Sequence, residues 1–314
     1  MKVWTLGLLA AAAAILNGCG GAQNGSTLPQ GVGLQNTAHK ASGSNALLYV
    51  VTSDATVMLN YPGYGNVGSL SPQGYLGFPC SDPITGDVYM DTGSEVRQYT
   101  YGGTNPTATI FLDNYDGSFG CAVDPTTSNL AVIGSGKSGA AVFVYANVNG
   151  NPTEYSDSGL KAFYYGGYDN NGNLFVDGLT NDGQFVFAEL AKGQSKFAVI
   201  SLNKKFENRP GNVQFDGSDI TIKSGLSIYR VQISGSSGTI VGKTTLNRSW
   251  NRPASSWIFN GTVIAAQGGG NHPGHGVAFW HYPDGGKPFQ ILTSVSKNKK
   301  DVITGTTVSV APSR

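Results

Sequence analysis

Charged side chains are scarce. Asp, Glu, Lys and Arg make up 12% of the 314 residues, and 20 basic against 19 acidic groups leave a formal net charge of +1. So even a balance carries no electrostatic footprint for nucleic acid or for an anionic membrane surface, and no nucleic-acid partner is expected. Methionine and cysteine are rarer still, at three each, and there are only four histidines. That leaves little material for metal or acid–base chemistry. Long hydrophobic runs are missing as well: the one sustained apolar stretch, residues 3–15, is too short to span a bilayer comfortably. What abounds is glycine, with 45 residues, alongside 15 Tyr and 14 Phe. This composition fits many turns between aromatic and β-branched strands. At 39% hydrophobic, the chain can bury a core.

The first residues, "MKVWTLGLLAAAAAILNGC", set one Lys before the apolar run and small residues after it, the shape of a signal peptide. The ending "LNGC" resembles the lipobox of bacterial lipoproteins. The resemblance implies a signal peptide over residues 1–18, cleavage before Cys19, and acylation of Cys19 with enough chains for stable membrane anchoring. The other reading is an ordinary signal peptide that contains a cysteine. Residues 19–45 are rich in Gly, Ser, Asn and Gln without apolar periodicity and read as a flexible linker.

From residue 46 onward a pattern repeats. "CSDPITGDVY" from Cys80 returns as "CAVDPTTSNLAV" from Cys121, and the marker residues Asp82, Asp124, Asp169, Asp216 and Asn260 are spaced by 42, 45, 47 and 44. A period in the forties in β-type sequence is the signature of a propeller. Each unit reads as four strands. A short apolar strand runs into an Asp/Asn–Gly turn; a second strand follows ("DVYM", "NLAVI", "NLFVD", "DITI", "TVIAA"); a third is aromatic and alternating; a Gly-bearing hairpin leads to a fourth. The N-terminal unit starts at a second strand, "ALLYVVTS", and the C-terminus ends on a first strand, "VSVAP". Joined, the two fragments complete one blade and remove two sheet edges. Five units and this composite predict an all-β, six-bladed β-propeller of four-stranded antiparallel blades over residues 46–314, expected to be a monomer.

The segment "DPITGDVYMDTGSEVRQY" resembles the NHL-repeat and YVTN-like propeller families through Gly86, Val88, Tyr89, Asp91, Thr92, Gly93, Arg97 and Tyr99. Asp169, Gly172, Leu174, Phe175 and Asp177 keep part of the same pattern. As a whole the chain is similar to the secreted and lipoprotein propellers of bacteria. That resemblance implies the fold, and leaves the function open because propellers host many roles.

Cys80 lies two residues before Asp82, and Cys121 three before Asp124. The side-chain period of a strand is two, so the cysteines point to opposite faces of equivalent first strands, as a disulfide between stacked neighbouring blades requires. Export would preserve such a bond. The alternative is two buried free thiols.

Other chemistry is thin. His272 and His275 in "GGGNHPGHG" lack further ligands nearby, "GSGKSG" at residues 134–139 lies between strands instead of before a helix, and no serine sits in a nucleophile elbow. No cofactor and no metal site is expected. Lactonase-type propeller hydrolases hold calcium at the inner strand starts. Here those starts carry Gly77, Gly120, Gly166, Gly167 and Gly211, with Asn212 the one polar ligand. The reading is a non-catalytic binding or scaffold module, exported and lipid-anchored in the cell or outer membrane, facing the periplasm or cell surface, for an envelope protein, peptidoglycan or glycan. Residues 61–64 ("YPGY") and His281–Tyr282 are candidate contacts. The alternative function is a calcium-dependent lactonase or esterase.

The lipobox is directly testable. Cys19→Ser should abolish acyl labelling and release the protein from membranes; labelling that persists would refute the lipid attachment.

Overall fold

Strands with apolar side chains on both faces need neighbours on both faces, and stacking blades around an axis supplies them. The computed structural model describes residues 45–313 except 54, 71–77, 114, 147, 149, 208, 248–254, 268–275, 294 and 296–302. Cys19, the segment expected to be a signal peptide, and the expected linker up to residue 44 lie outside the described residues.

No helix occurs among the described residues, and the strands form six sheets. Blade 1 orders Cys80–Ser81, Val88–Asp91, Glu95–Tyr99 and Ala108–Phe111 as its first to fourth strands. Blade 2 has Tyr115–Val123, Leu130–Gly136, Gly139–Tyr145 and Thr153–Asp157, and blade 3 has Leu160–Tyr168, Leu174–Thr180, Phe185–Leu190 and Ala198–Val199. Blade 4 comprises Val213–Phe215, Ile220–Ser224, Ser227–Ser234 and Ser237–Thr245, and blade 5 comprises Ser256–Phe259, Thr262–Gln267, Gly276–His281 and Gly285–Leu292. The sixth sheet is the composite: Ile303–Val310 pairs antiparallel with Ala46–Thr52, followed by Thr56–Tyr61 and Asn66–Ser69.

Two details depart from the repeat. "FAVISL" is not one fourth strand: Ala198–Val199 pairs within blade 3, whereas Ser201–Leu202 adds a fifth, parallel strand to blade 4. Buried Ile200 sits at the crossing, its N–H bonded to Phe187 O of blade 3 while the next N–H bonds Ser236 O of blade 4. The first turns also differ. In blades 1 to 4 the marker Asp accepts a backbone N–H two residues ahead: Ile84 to Asp82 (2.7 Å), Thr126 to Asp124 (2.8 Å), Asn171 to Asp169 (2.9 Å) and Ser218 to Asp216 (2.9 Å). Asn260 instead takes φ 45° with Gly261 at 70°, a two-residue Asn-Gly hairpin.

Six apolar clusters fill the six blade interfaces. Alternation along each second strand divides its residues between two of them. Val88 and Met90 meet Leu47, Tyr49 and Val51 of the composite blade, while Tyr89 meets Cys121 and Val132 of blade 2. Leu130 and Val132 face blade 1; Ala131 and Ile133 face blade 3. The disulfide belongs to the same scheme. Cys80 and Cys121 are bonded across the blade 1–blade 2 interface, with Cα atoms 5.6 Å apart. Closing a loop with sequence separation 41 contributes roughly 4 kcal/mol on the chain-entropy estimate.

The strand Ile303–Val310 is held by hydroxyls on both sides. Toward blade 1, Ser81 Oγ donates to Val308 O (2.9 Å) and Ser309 Oγ donates to Gly86 O. Gly86 has φ 74°, and a Cβ there would strike Val310 O, so this turn needs glycine to dock on the closing strand. Toward blade 5, Ser255 Oγ donates to Thr306 O (3.2 Å) and accepts from Thr306 N (3.1 Å). Both residues are buried. Ser255→Ala should therefore orphan two buried backbone groups, at about 1–3 kcal/mol each. Urea unfolding checks this, and a wild-type midpoint would show that Ser255 does not hold the closing strand.

Candidate functional site

The first strands of neighbouring blades approach closely. A Cβ on Gly167 would lie 2.7 Å from Val213 O, so glycine there lets the backbones of blades 3 and 4 meet. Gly166 is as tight, with Ile133 Cδ1 2.6 Å from such a Cβ, Gly120 is looser at 3.3 Å from Tyr164 O, and Asn212 accepts the N–H of Lys223 through its carbonyl (2.9 Å). Gly77 lies outside the described residues, as do His272 and His275. Among the described residues no three of His, Cys, Asp and Glu stand close enough to share a metal ion. "GSGKSG" forms the hairpin between Leu130–Gly136 and Gly139–Tyr145.

The first strands of blades 2 and 3 each carry a bulge at the same level. Their registers shift between Ser118 and Gly120, opposite Ile133, and between Phe163 and Tyr165, opposite Asp177. The extra residues are Phe119 and Tyr164. Released from the alternation, their rings stack on each other at 4.6 Å with an interplanar angle of 29°, both partly exposed. Beside them Phe78 packs on Tyr165 at 4.8 Å. The innermost strands thus present an aromatic group that the repeat pattern does not foretell.

Opposite these bulges runs a layer of buried ionisable groups. The fourth residue of each second strand is Tyr49, Asp91, Ile133, Asp177, Lys223 or Ala265, and all six are buried. Asp91 reaches into blade 2, where its Oδ1 accepts from Ser118 Oγ (2.9 Å) as well as from Gly93 N (2.7 Å). Its Oδ2 has no partner. Burial pushes Asp91 up to about 6, against the pull of those two donors. Asp177 accepts the bulge-freed N–H of Tyr165 (3.0 Å) and Gly211 N of blade 4 (2.7 Å), and burial raises it well above the ordinary carboxylate range. Lys223 donates to Gly225 O (3.0 Å), and burial lowers it to about 8. Perturbed groups often mark reaction centres. Here two of the three bind across a blade interface, which assigns them to joining blades. Their signal was in the sequence: "VYMD", "LFVD" and "ITIK" each interrupt an apolar strand at its fourth residue.

Of the candidate contacts at residues 61–64 and 281–282, Tyr64 and His281 are at least partly exposed. Tyr64 lies 4.9 Å from Phe279 across the seam between the composite blade and blade 5, and exposed His281 stacks on Phe289 at 4.4 Å. The other two are engaged in structure. Tyr61 is buried against Phe259 and Phe279, and the Tyr282 hydroxyl donates to Asp216 of blade 4.

No family model and no curated protein sequence matches the chain. Its fold is similar to solved structures. A protein of unknown function from Bacteroides caccae aligns at TM-score 0.61 with 15% identity, over 85% of this chain and 99% of that one. A functionally unknown protein from Desulfotomaculum acetoxidans aligns at 0.56 and 15%, over 85% and 89%. The β-propeller domain of Myceliophteria thermophila Cps50 (Swd1) aligns at 0.55 and 10%, over 81% and 84%. At these identities the likeness is one of fold: the chain is a six-bladed β-propeller.

Asp91 makes a pH prediction. Its folded pKa is raised from 3.8 to about 6, so the native state binds the proton more tightly than the unfolded chain. Stability is then highest below the unfolded value and falls as pH rises through the folded one, by about 3 kcal/mol in all. Asp91→Asn should remove that slope and leave the variant more stable than wild type above pH 6. Asp177 titrates in the same sense in both proteins, so the difference isolates Asp91. Parallel stability–pH curves from urea melts at pH 4 to 7 would refute the assignment.

Proposed function

We propose that this protein is an exported, lipid-anchored propeller of the NHL/YVTN-like kind that binds a glycan at the cell envelope and has no catalytic centre of its own. The observation that carries the reading is the pair of bulges at Phe119 and Tyr164. A bulge gives up ladder pairing to re-aim one side chain. Two of them at one level, in adjacent blades, bring two rings together on the innermost strands, where the regular alternation would have sent side chains into the blade interfaces. Flat, partly exposed rings suit the apolar C–H face of a sugar, and binding sites combine such surfaces with a few polar groups. The lipobox and the linker-like composition of residues 19–45 support placing that surface away from a membrane but tethered to it.

The test is binding of the purified full chain to isolated peptidoglycan sacculi and to soluble cell-wall saccharides. Phe119→Ala combined with Tyr164→Ala should weaken binding at least tenfold, while His281→Ala leaves it unchanged; a thermal melt confirms that both variants fold. Absence of binding by the wild type, or equal binding by the double variant, would overturn the glycan reading.

A further inference from the structure

A second site lies where the chain crosses from blade 3 to blade 4, away from the aromatic pair. Residues 204–207 and Arg209, together with the hairpin between Ile220–Ser224 and Ser227–Ser234, line a cavity of about 400 Å³. The crossing contributes Lys204, Lys205 and Arg209 to its lining, against one carboxylate, Glu207. Lys243, on the fourth strand of blade 4, is not part of the lining but lies near the ring of Tyr229, which is. Lys204 and Lys243 both place Nζ near the Tyr229 ring, at 4.9 and 5.9 Å from its centroid. Among the described residues the ion pair within 4 Å is Arg97–Glu95, so none of these four cations has a carboxylate partner. In a chain of net charge +1, this gathers positive charge locally in excess of the one carboxylate beside it.

The crossing is also anchored. Phe206 is buried, stacked on Phe185 at 5.0 Å and set edge-on to Tyr229 at 5.1 Å. Arg209 N closes a tight turn onto Glu207 O (2.7 Å). The cations therefore project from a pinned segment, which lowers the ordering cost of a ligand that they share.

We propose that this cavity binds a phosphate monoester of a small polar molecule. Three lining cations against one carboxylate leave two net positive charges, which a dianion matches better than a single carboxylate ligand would. The Arg209 guanidinium can meet phosphate oxygens bidentately, and the lysines act as point charges. The Ser224 and Ser227 positions and the backbone of the hairpin give the cavity mouth a polar remainder, suited to a polar body rather than an acyl chain.

Titration calorimetry of the full chain at low ionic strength, with glucose 6-phosphate, glucuronate and glucose as probes, tests this. Glucose 6-phosphate should bind, inorganic phosphate should compete with it, and binding should weaken steeply with salt. Glucuronate should bind at least tenfold more weakly, and glucose not at all. Lys204→Gln and Arg209→Gln should each cost at least about tenfold, the loss of one charge-assisted contact. Both sites are exposed, so folding is expected to survive, and a melt verifies it. Failure of glucose 6-phosphate to bind, equal affinity for glucuronate, or unchanged affinity in both variants would overturn the proposal. Phe119→Ala with Tyr164→Ala should leave this binding intact, which separates it from the glycan reading.

Discussion

Every second strand in this protein is buried on both faces, and that constraint organises the rest. A sheet with two apolar faces is stable only between two others, so six such sheets must form a closed ring. Parity then assigns every side chain. Leu47, Tyr49 and Val51 belong to one interface, and Ala46, Leu48 and Val50 to the opposite one. Closure cannot rest on apolar contact alone, because the closing strand is drawn from the far end of the chain. "ITGTTVSV" meets this with hydroxyls: Thr306 is bonded on the blade 5 side, and Ser309 on the blade 1 side. The same alternation that sorts core residues sorts these hydrogen bonds.

Much of this was legible because parity is a property of sequence. The one-residue offset between Cys80 and Cys121, relative to Asp82 and Asp124, placed the thiols on facing sides, and they are bonded. The half-units at each end predicted the composite blade. Four of the five marker turns bond as Asx turns. What escaped was whatever breaks parity. A bulge adds one residue without any composition of its own, so Phe119 and Tyr164 read as ordinary strand members. The split at Ile200 escaped for a related reason: an apolar run of strand length does not reveal that its two halves pair with different sheets. At residues 260–261 the Asn-Gly pair tolerates positive φ at both turn positions, each residue at its own, and backbone conformation replaced side-chain bonding.

Fold and function separate here as they do in other propellers. Among the described residues, the interfaces take up most of the buried apolar and aromatic side chains. Two groups stay at least partly exposed beside that packing: Phe119 with Tyr164, whose ring also packs against the blade 3–blade 4 cluster, and the cations of the blade 3–blade 4 crossing. Both occur where the repeat departs from regularity. Regular positions are already committed to neighbouring blades, so new surface has to come from insertions and crossings.

The buried Asp91 and Asp177 answer a different demand. Replacing a buried charge by an apolar residue is often neutral or stabilising, so their presence is weak evidence of added stability. Six similar sheets, however, pose a problem of register. A slip by one residue of a first strand against the second strand of its own blade would exchange the two faces of that strand while keeping apolar against apolar. Asp177 discriminates against that slip. Its two oxygens meet the N–H freed by the bulge at Tyr165 and the N–H of Gly211 in the next blade, two donors that coincide only in the native register. Asp91 does the same with Ser118 through one oxygen, leaving the other unpartnered. A slip would take from Asp177 the donor on its partner strand and leave Asp91 with the local N–H of Gly93 alone, a cost in unpaired buried carboxylate oxygen that apolar packing does not offset. The acids thus raise the cost of the wrong arrangements more than they lower the energy of the right one.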